Sequence, residues 1–233
     1  MKKVWIFGCS FSSEYKYIKF EDTYGNLLAK ELGYDVKNKS KAANSNDKIL
    51  YDLTMNLKNI NEGDIILFQF SFFSRIGFFI DDKEENYFST ITLPEYIDIF
   101  YSANNKLKSD GKITKENTEI LIDYILNWQV HRRKFYLDEV YNILDYLEET
   151  KNIRYCVLYM NSEYFKTNKN NIFYPMSPHE YFSLSLLDFI KSNNYTVSDE
   201  TPKEKDDPHP GLIGHKKIMD IVLDKIKNPI KYI

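Results

Sequence analysis

The segment Ile65-Ile66-Leu67-Phe68-Gln69-Phe70 is a nearly continuous apolar run opened by Gly63-Asp64. A run of this length is a strand buried on both faces, and such strands belong to sheets covered by helices on each side. Val4-Trp5-Ile6-Phe7 and Ile153–Tyr159 have the same strand-like apolar, β-branched and aromatic content. Helical patterns alternate with these runs. Asp22 or Thr23 caps a helix with Tyr24, Leu27, Leu28 and Leu32 on one face, and Gly33 stops it. A short strand follows around Tyr34–Asn38. Ser45 or Asn46 then caps a second helix carrying Ile49, Leu50, Leu53 and Leu57. Strand, helix, strand, helix, strand at this spacing predicts right-handed βαβ units and a mainly parallel sheet.

The pattern changes between 81 and 150. Asp81-Asp82-Lys83-Glu84-Glu85 reads as a loop, Pro94 as a helix start, and Lys108-Ser109-Asp110-Gly111 as a turn. From Lys115 to Glu149 there is no Pro or Gly, and Leu121, Ile125, Trp128, Tyr136, Val140, Ile143, Leu144 and Leu147 recur at helical spacing. This is expected to be a helical insertion rather than a separate domain, because no Pro/Gly/Ser linker flanks it. Beyond the strand at Ile153–Tyr159, Glu180–Ile190 reads as a helix and Tyr195-Thr196-Val197 as a short fifth strand. Pro210 onwards opens a last helix with Ile218, Met219, Val222 and Ile226 in register. A length of 233 residues suits one α/β domain over 1–233.

Composition narrows the function classes. A formal net charge of -3 gives no electrostatic case for a nucleic-acid partner. The basic cluster His131-Arg132-Arg133-Lys134 sits inside a helical pattern and reads as a solvated face. No segment approaches the length of a membrane span. Cys9 and Cys156 are far apart with no zinc-like spacing, so neither a metal nor a disulfide is required, and a reducing, cytoplasmic location is expected. The apolar run after Met1-Lys2-Lys3 is too short for a signal sequence, and Phe7 is bulky where processing needs small residues. The 16% aromatic content follows from a composition rich in Lys, Asn, Ile, Tyr and Phe, and it is not by itself a sign of carbohydrate stacking.

Chemistry enters at the two ends of the chain. After the first strand, Gly8-Cys9-Ser10 delivers a hydroxyl to the C-terminal edge of the sheet, where open α/β sheets place their ligands. Near the other terminus, Asp206-Asp207-Pro208-His209-Pro210 brings carboxylates beside an imidazole. A serine hydroxyl becomes a nucleophile only when an oriented base removes its proton. His209 is the candidate base and Asp206, in a turn stiffened by Pro208, the candidate orienting acid. Asp207 competes with it at a poorer angle. An isolated Asp-x-x-His is more often a helix cap beside a surface histidine; Ser10 at the matching strand end favours the catalytic reading. His131 and His179 have no partner at ligand spacing, no phosphate-binding glycine loop is present, and no cofactor is expected.

These residues resemble the SGNH (GDSL-type) hydrolase superfamily. Its first block, Gly-Asp-Ser, is matched by Gly8-Cys9-Ser10, with Cys9 in place of Asp. Its last block, Asp-x-x-His-Pro followed by Gly-His, is matched by Asp206-Asp207-Pro208-His209-Pro210 and Gly214-His215. The second block is similar to Asn38–Asn46, with Ala43 where the family has glycine. The third falls at Ser71–Arg75, where the family asparagine is missing. The resemblance implies a three-layer flavodoxin-like fold with a five-stranded sheet in order 2-1-3-4-5, flanked by helices. It also implies an oxyanion site built from the amides of Ser10 and Ala43, with Ser71, Ser74 or Arg75 replacing the asparagine, and Ser71 and Ser74 ahead by proximity to the strand end. Cys9 is expected to be a buried packing residue. The activity implied is a metal-independent serine esterase or acyl hydrolase acting on a small-molecule or carbohydrate ester, with acyl transfer by the same machinery. The alternative is a catalytically weak or inactive SGNH-fold module that binds a glycan or protein. That alternative is motivated by the missing asparagine and the altered glycine.

Overall fold

The computed structural model describes residues 1–72, 75–82, 85–92, 135–160, 184–201, 203–204 and 206–228. Its strands are β1 (Lys3–Phe7), β2 (Asp35–Asn38), β3 (Ile65–Phe70), β4 (Arg75–Asp82), β5 (Glu85–Thr92), β6 (Arg154–Tyr159) and β7 (Leu184–Ser185). Five form one parallel sheet in the order β2-β1-β3-β6-β7. Expressed as positions within that sheet, this is the order 2-1-3-4-5. Every residue of β3 is buried, as its unbroken apolar run requires, whereas the edge strand β2 alternates between exposed and half-buried positions.

The first crossover is helix α1 (Tyr24–Leu32), stopped by Gly33 at φ 67°, a left-handed conformation that favours glycine. The second is α2 (Asn46–Asn56), whose Ser45 cap accepts from Lys48 N–H. The α1 helix packs on the last helix, Leu212–Lys227. The α2 helix is joined to the helix over 135–151 through Tyr136 Oη and Asp47. Right-handed crossovers on either side of β1 direct the two pairs to opposite faces.

Two sequence expectations need correction. The fifth strand is not Tyr195-Thr196-Val197. It is the two-residue β7, with a helix over Leu186–Ser192 directly behind it. Thr196 instead forms an isolated bridge with Pro210 and caps a short helix, Val197–Glu200, in a reciprocal capping box with Asp199. A cap residue in extended conformation within a β-branched triplet reads from sequence as a strand. The region expected to be helical from 81 begins with the antiparallel β4–β5 hairpin, so Asp81, Asp82 and Glu85 lie on strands and not in a loop. Helix is present over 135–151; the expected helices at 94–100 and 115–134 lie outside the described residues.

Register sets up the edge of the sheet. The β1–β3 pairing ends at Phe7 opposite Phe68, and β3 runs two residues further. The turn after β1 therefore lies against Gln69 and Phe70. Gln69 is the single polar side chain in an otherwise apolar, fully buried strand.

Candidate active site

The chain leaves β1 into a short 3-10 turn, Ser10–Ser12, which is held by side chains from neighbouring loops. Gln69 Oε1 accepts from Cys9 N–H at 3.0 Å and from Ser12 Oγ at 2.8 Å. Gln69 Nε2 donates to the Phe70 carbonyl at 2.8 Å and lies 3.3 Å from Cys9 Sγ. Ser12 Oγ is also 2.5 Å from Tyr24 Oη. Such a network, buried and fully paired, fixes one conformation of the turn. Gly8 is required by it, because a Cβ there would fall 2.8 Å from Gln69 Oε1 and 2.7 Å from Ser12 Oγ. Cys9 is buried and packs into the core, in agreement with the sequence reading.

Three asparagines fix the neighbouring loop. Asn38 Nδ2 donates to the Ser12 carbonyl at 2.8 Å, and Asn44 Nδ2 to that of Gly8 at 2.9 Å. Asn46 meets Ser71 at both ends, accepting its N–H at 2.8 Å and donating to its carbonyl at 3.3 Å. The loop carrying Ala43 is thereby stapled to the loops after β1 and β3. Ala43 occupies the third position of a turn closed by Asn44 N–H to the Lys41 carbonyl at 3.3 Å, and its φ is 63°. Turns with positive φ at that position favour glycine, and an L-residue there costs roughly 1–2 kcal/mol. Ala43→Gly is therefore expected to stabilise the fold by about 1 kcal/mol, read as an upward shift of the thermal midpoint.

Across the sheet edge, His209 Nε2 lies 2.9 Å from Ser10 Oγ, and His209 Nδ1 lies 2.7 Å from Asp207 Oδ1. The carboxylate on the imidazole is thus Asp207. Asp206, the expected orienting acid, is exposed with a left-handed φ of 60°. That backbone twist swings Asp207 inward, where its Oδ1 also accepts His209 N–H at 3.0 Å. The close spacing that made Asp207 look poorly angled is resolved by the same turn. The loop is stapled to the Thr196 cap region: Val197 N–H donates to the His209 carbonyl at 2.7 Å, and Asp207 N–H to Ser198 Oγ at 2.5 Å.

Electrostatics fix the tautomer. Burial pushes the Asp207 carboxyl up, but the Lys16 ammonium and the two His209 N–H groups outweigh it and hold the carboxyl at about 2. An ionised carboxylate only accepts, so Nδ1 carries the proton and Nε2 accepts from the Ser10 hydroxyl. Burial also lowers the His209 pKa, against the opposing pull of Asp207 and with help from Arg75 and Lys16. The ring is neutral at neutral pH. Tyr15 stacks on it with centroids 3.8 Å apart, and Phe11 lies at 4.8 Å. His215 is fully buried in the last helix; burial pushes it down to about 3, and its Nδ1 accepts Tyr24 N–H at 3.3 Å.

Of the expected oxyanion donors, the Ser10 amide starts a 3-10 turn, where amides have no partner within the helix. The Ser71 amide is taken by Asn46, and Ser71 Oγ accepts from Arg75 Nη1 at 3.0 Å. Ser74 lies outside the described residues. Gln69, Asn44, Tyr15 and Lys16 were not read from sequence. Gln69 alone left a signal there, as a polar residue inside an apolar strand.

No protein-family model matches this sequence. No curated protein matches it. Several solved structures are similar to it at low identity, three of them as follows. A member of the lipolytic protein G-D-S-L family from Veillonella parvula DSM 2008 gives a TM-score of 0.42 at 9% identity, covering 98% of this chain and 100% of that one. A lipase/acylhydrolase from Enterococcus faecalis gives 0.38 at 10% identity, covering 100% of both chains. A lipolytic protein of the G-D-S-L family from Desulfitobacterium hafniense DCB-2 gives 0.32 at 16%, covering 96% of this chain and 98% of that one. Overlaps this distant assign no residue a role, and the site stands on its own geometry.

Proposed function

We propose that this protein is a metal-independent serine hydrolase of carboxylic esters, with Ser10 as nucleophile, His209 as general base and Asp207 as the acid that orients it. The observation that carries this reading is the unbroken chain from Ser10 Oγ through both nitrogens of His209 to Asp207 Oδ1, at 2.9 and 2.7 Å. Ser10 Oγ attacks the ester carbonyl as His209 Nε2 takes its proton, and the carbonyl π pair moves onto oxygen. The tetrahedral intermediate collapses to an acyl-Ser10 ester, and His209 returns the proton to the departing alcohol. Water, activated by the same nitrogen, then releases the acid and restores Ser10. Another hydroxyl in place of water would give acyl transfer.

The amides of Ser10 and Ala43 are the proposed oxyanion donors, with the hydroxyl of Ser71 as the third, since its amide is bonded to Asn46. The stapling of their loops by Asn44 and Asn46 supports that role, because a preorganised donor loses no energy to reorientation during the reaction. The substrate class is an ester of a small molecule or carbohydrate.

A serine-directed fluorophosphonate probe tests the proposal. The wild type is expected to be labelled covalently on Ser10, and Ser10→Ala to give no adduct by intact mass. An unlabelled wild type, or equal labelling of Ser10→Ala, rules out the covalent mechanism and leaves a non-catalytic binding role for this fold.

A further inference from the structure

The turn Tyr15–Ile18 lies over the acid–base pair and is not explained by the sheet or the helices. It is closed by reciprocal backbone bonds, Tyr15 N–H to the Ile18 carbonyl at 3.0 Å and Ile18 N–H to that of Tyr15 at 2.9 Å. Lys16, its first central residue, has φ 53°. Positive φ at this position favours glycine, and a non-glycine residue holds such a conformation only where its surroundings over-determine it. All three side chains engage one segment. Lys16 Nζ lies 2.6 Å from Asp207 Oδ2 and 2.5 Å from Glu204 Oε2. Tyr17 Oη reaches Glu200 Oε2 at 3.5 Å, and Tyr15 stacks on the His209 ring. Asp207 is then held on both oxygens, Oδ1 by His209 and Oδ2 by Lys16.

We propose that Lys16 is a positioning residue of the active site: its ammonium, fixed between Asp207 and Glu204, locks the carboxylate that orients His209 and lays Tyr15 against the imidazole. The inference rests on the reading of Ser10, His209 and Asp207 as a hydrolytic triad. A carboxylate bonded on one oxygen only can rotate about its terminal torsion and carry the imidazole with it. A cation on the second oxygen blocks that rotation. It also tempers the negative charge that Asp207 presents to His209, which keeps the imidazole a neutral base. The charged or titratable groups facing His209 are Asp207, Lys16, Tyr15, Arg75 and His215, with Glu204 behind Lys16.

The test uses the full chain in the forms Lys16→Met, Lys16→Arg and Glu204→Gln. It reads turnover of a chromogenic acetate ester, fluorophosphonate labelling, and the titration of the His209 ring by NMR. Lys16→Met is expected to lower kcat by about 10- to 100-fold with little change in KM, and to move the His209 titration and the acid limb of the rate profile to higher pH. Lys16→Arg restores both. Glu204→Gln removes an anion and moves the titration the opposite way. If the Lys16–Glu204 pair were only a structural tie, both variants would shift the histidine in the same direction. An unchanged His209 titration in Lys16→Met overturns the proposal even if the protein still reacts with the probe. Failure of the hydrolytic reading looks different: no labelling of the wild type, with the histidine shifts still present.

Discussion

Asp207→Asn is expected to lower ester turnover by about 10⁴-fold while leaving the fold intact, because an amide beside Nδ1 stabilises the wrong imidazole tautomer. Asp206→Asn, one residue away, is expected to turn over as the wild type does. Spacing in the chain favours the more distant carboxylate, and the folded backbone reverses that preference through the left-handed conformation of Asp206. Parallel measurements on the two variants decide the matter. Loss of activity in Asp206→Asn with retention in Asp207→Asn would mean that the bond between Asp207 and His209 is not the working one. The comparison is clean because Asp206 is exposed and Asp207 is buried against Lys16 and His209.

The largest effect on stability is expected from Gln69→Leu. The leucine fits the apolar strand, but it strips the acceptor from Cys9 N–H and the donor from the Phe70 carbonyl, both buried, and leaves Ser12 Oγ with Tyr24 Oη alone. At roughly 1–3 kcal/mol for each buried group left unpaired, offset in part by the apolar replacement, the loss is about 3 kcal/mol. For a chain of this size that lowers the thermal midpoint by roughly 6–12 °C. Fluorophosphonate labelling measured well below the midpoint is expected to fall as well, since the turn that aims Ser10 loses its anchor. A variant that melts like the wild type and labels at the same rate would remove Gln69 from the account.

The parallel sheet was legible because buried strands and amphipathic helices have different periods, and the alternation from Val4 to Phe70 is regular. Ser10 and His209 were legible for another reason: each sits in a short motif beside a strand end or a proline-rich turn. What stayed hidden depends on backbone conformation or on contacts distant in sequence. Thr196 looks like a strand residue until its side chain is seen capping a helix. The choice between Asp206 and Asp207 turns on one φ angle. Lys16 reads as an ordinary exposed lysine, because its partners Glu204 and Asp207 lie nearly the whole chain away. The hairpin β4–β5 was missed because its acidic residues look like a loop when cross-strand pairing is unknown.

The stapling of the His209 loop to the Thr196–Ser198 segment bears on the order in which this molecule assembles. The turn carrying Ser10 is held by partners within the first 72 residues, whereas the loop carrying His209 is held both by the neighbouring Val197 and Ser198 and, across the chain, by Tyr15 and Lys16. Contact between Ser10 and His209 closes a separation of 199 residues. Pairings that distant form late in folding, after local ones have lowered the entropy of the chain. A refolding chain therefore forms the Ser10 turn before the His209 loop is seated on it, and the return of the Ser10–His209 contact reports that docking rather than the formation of either strand or helix.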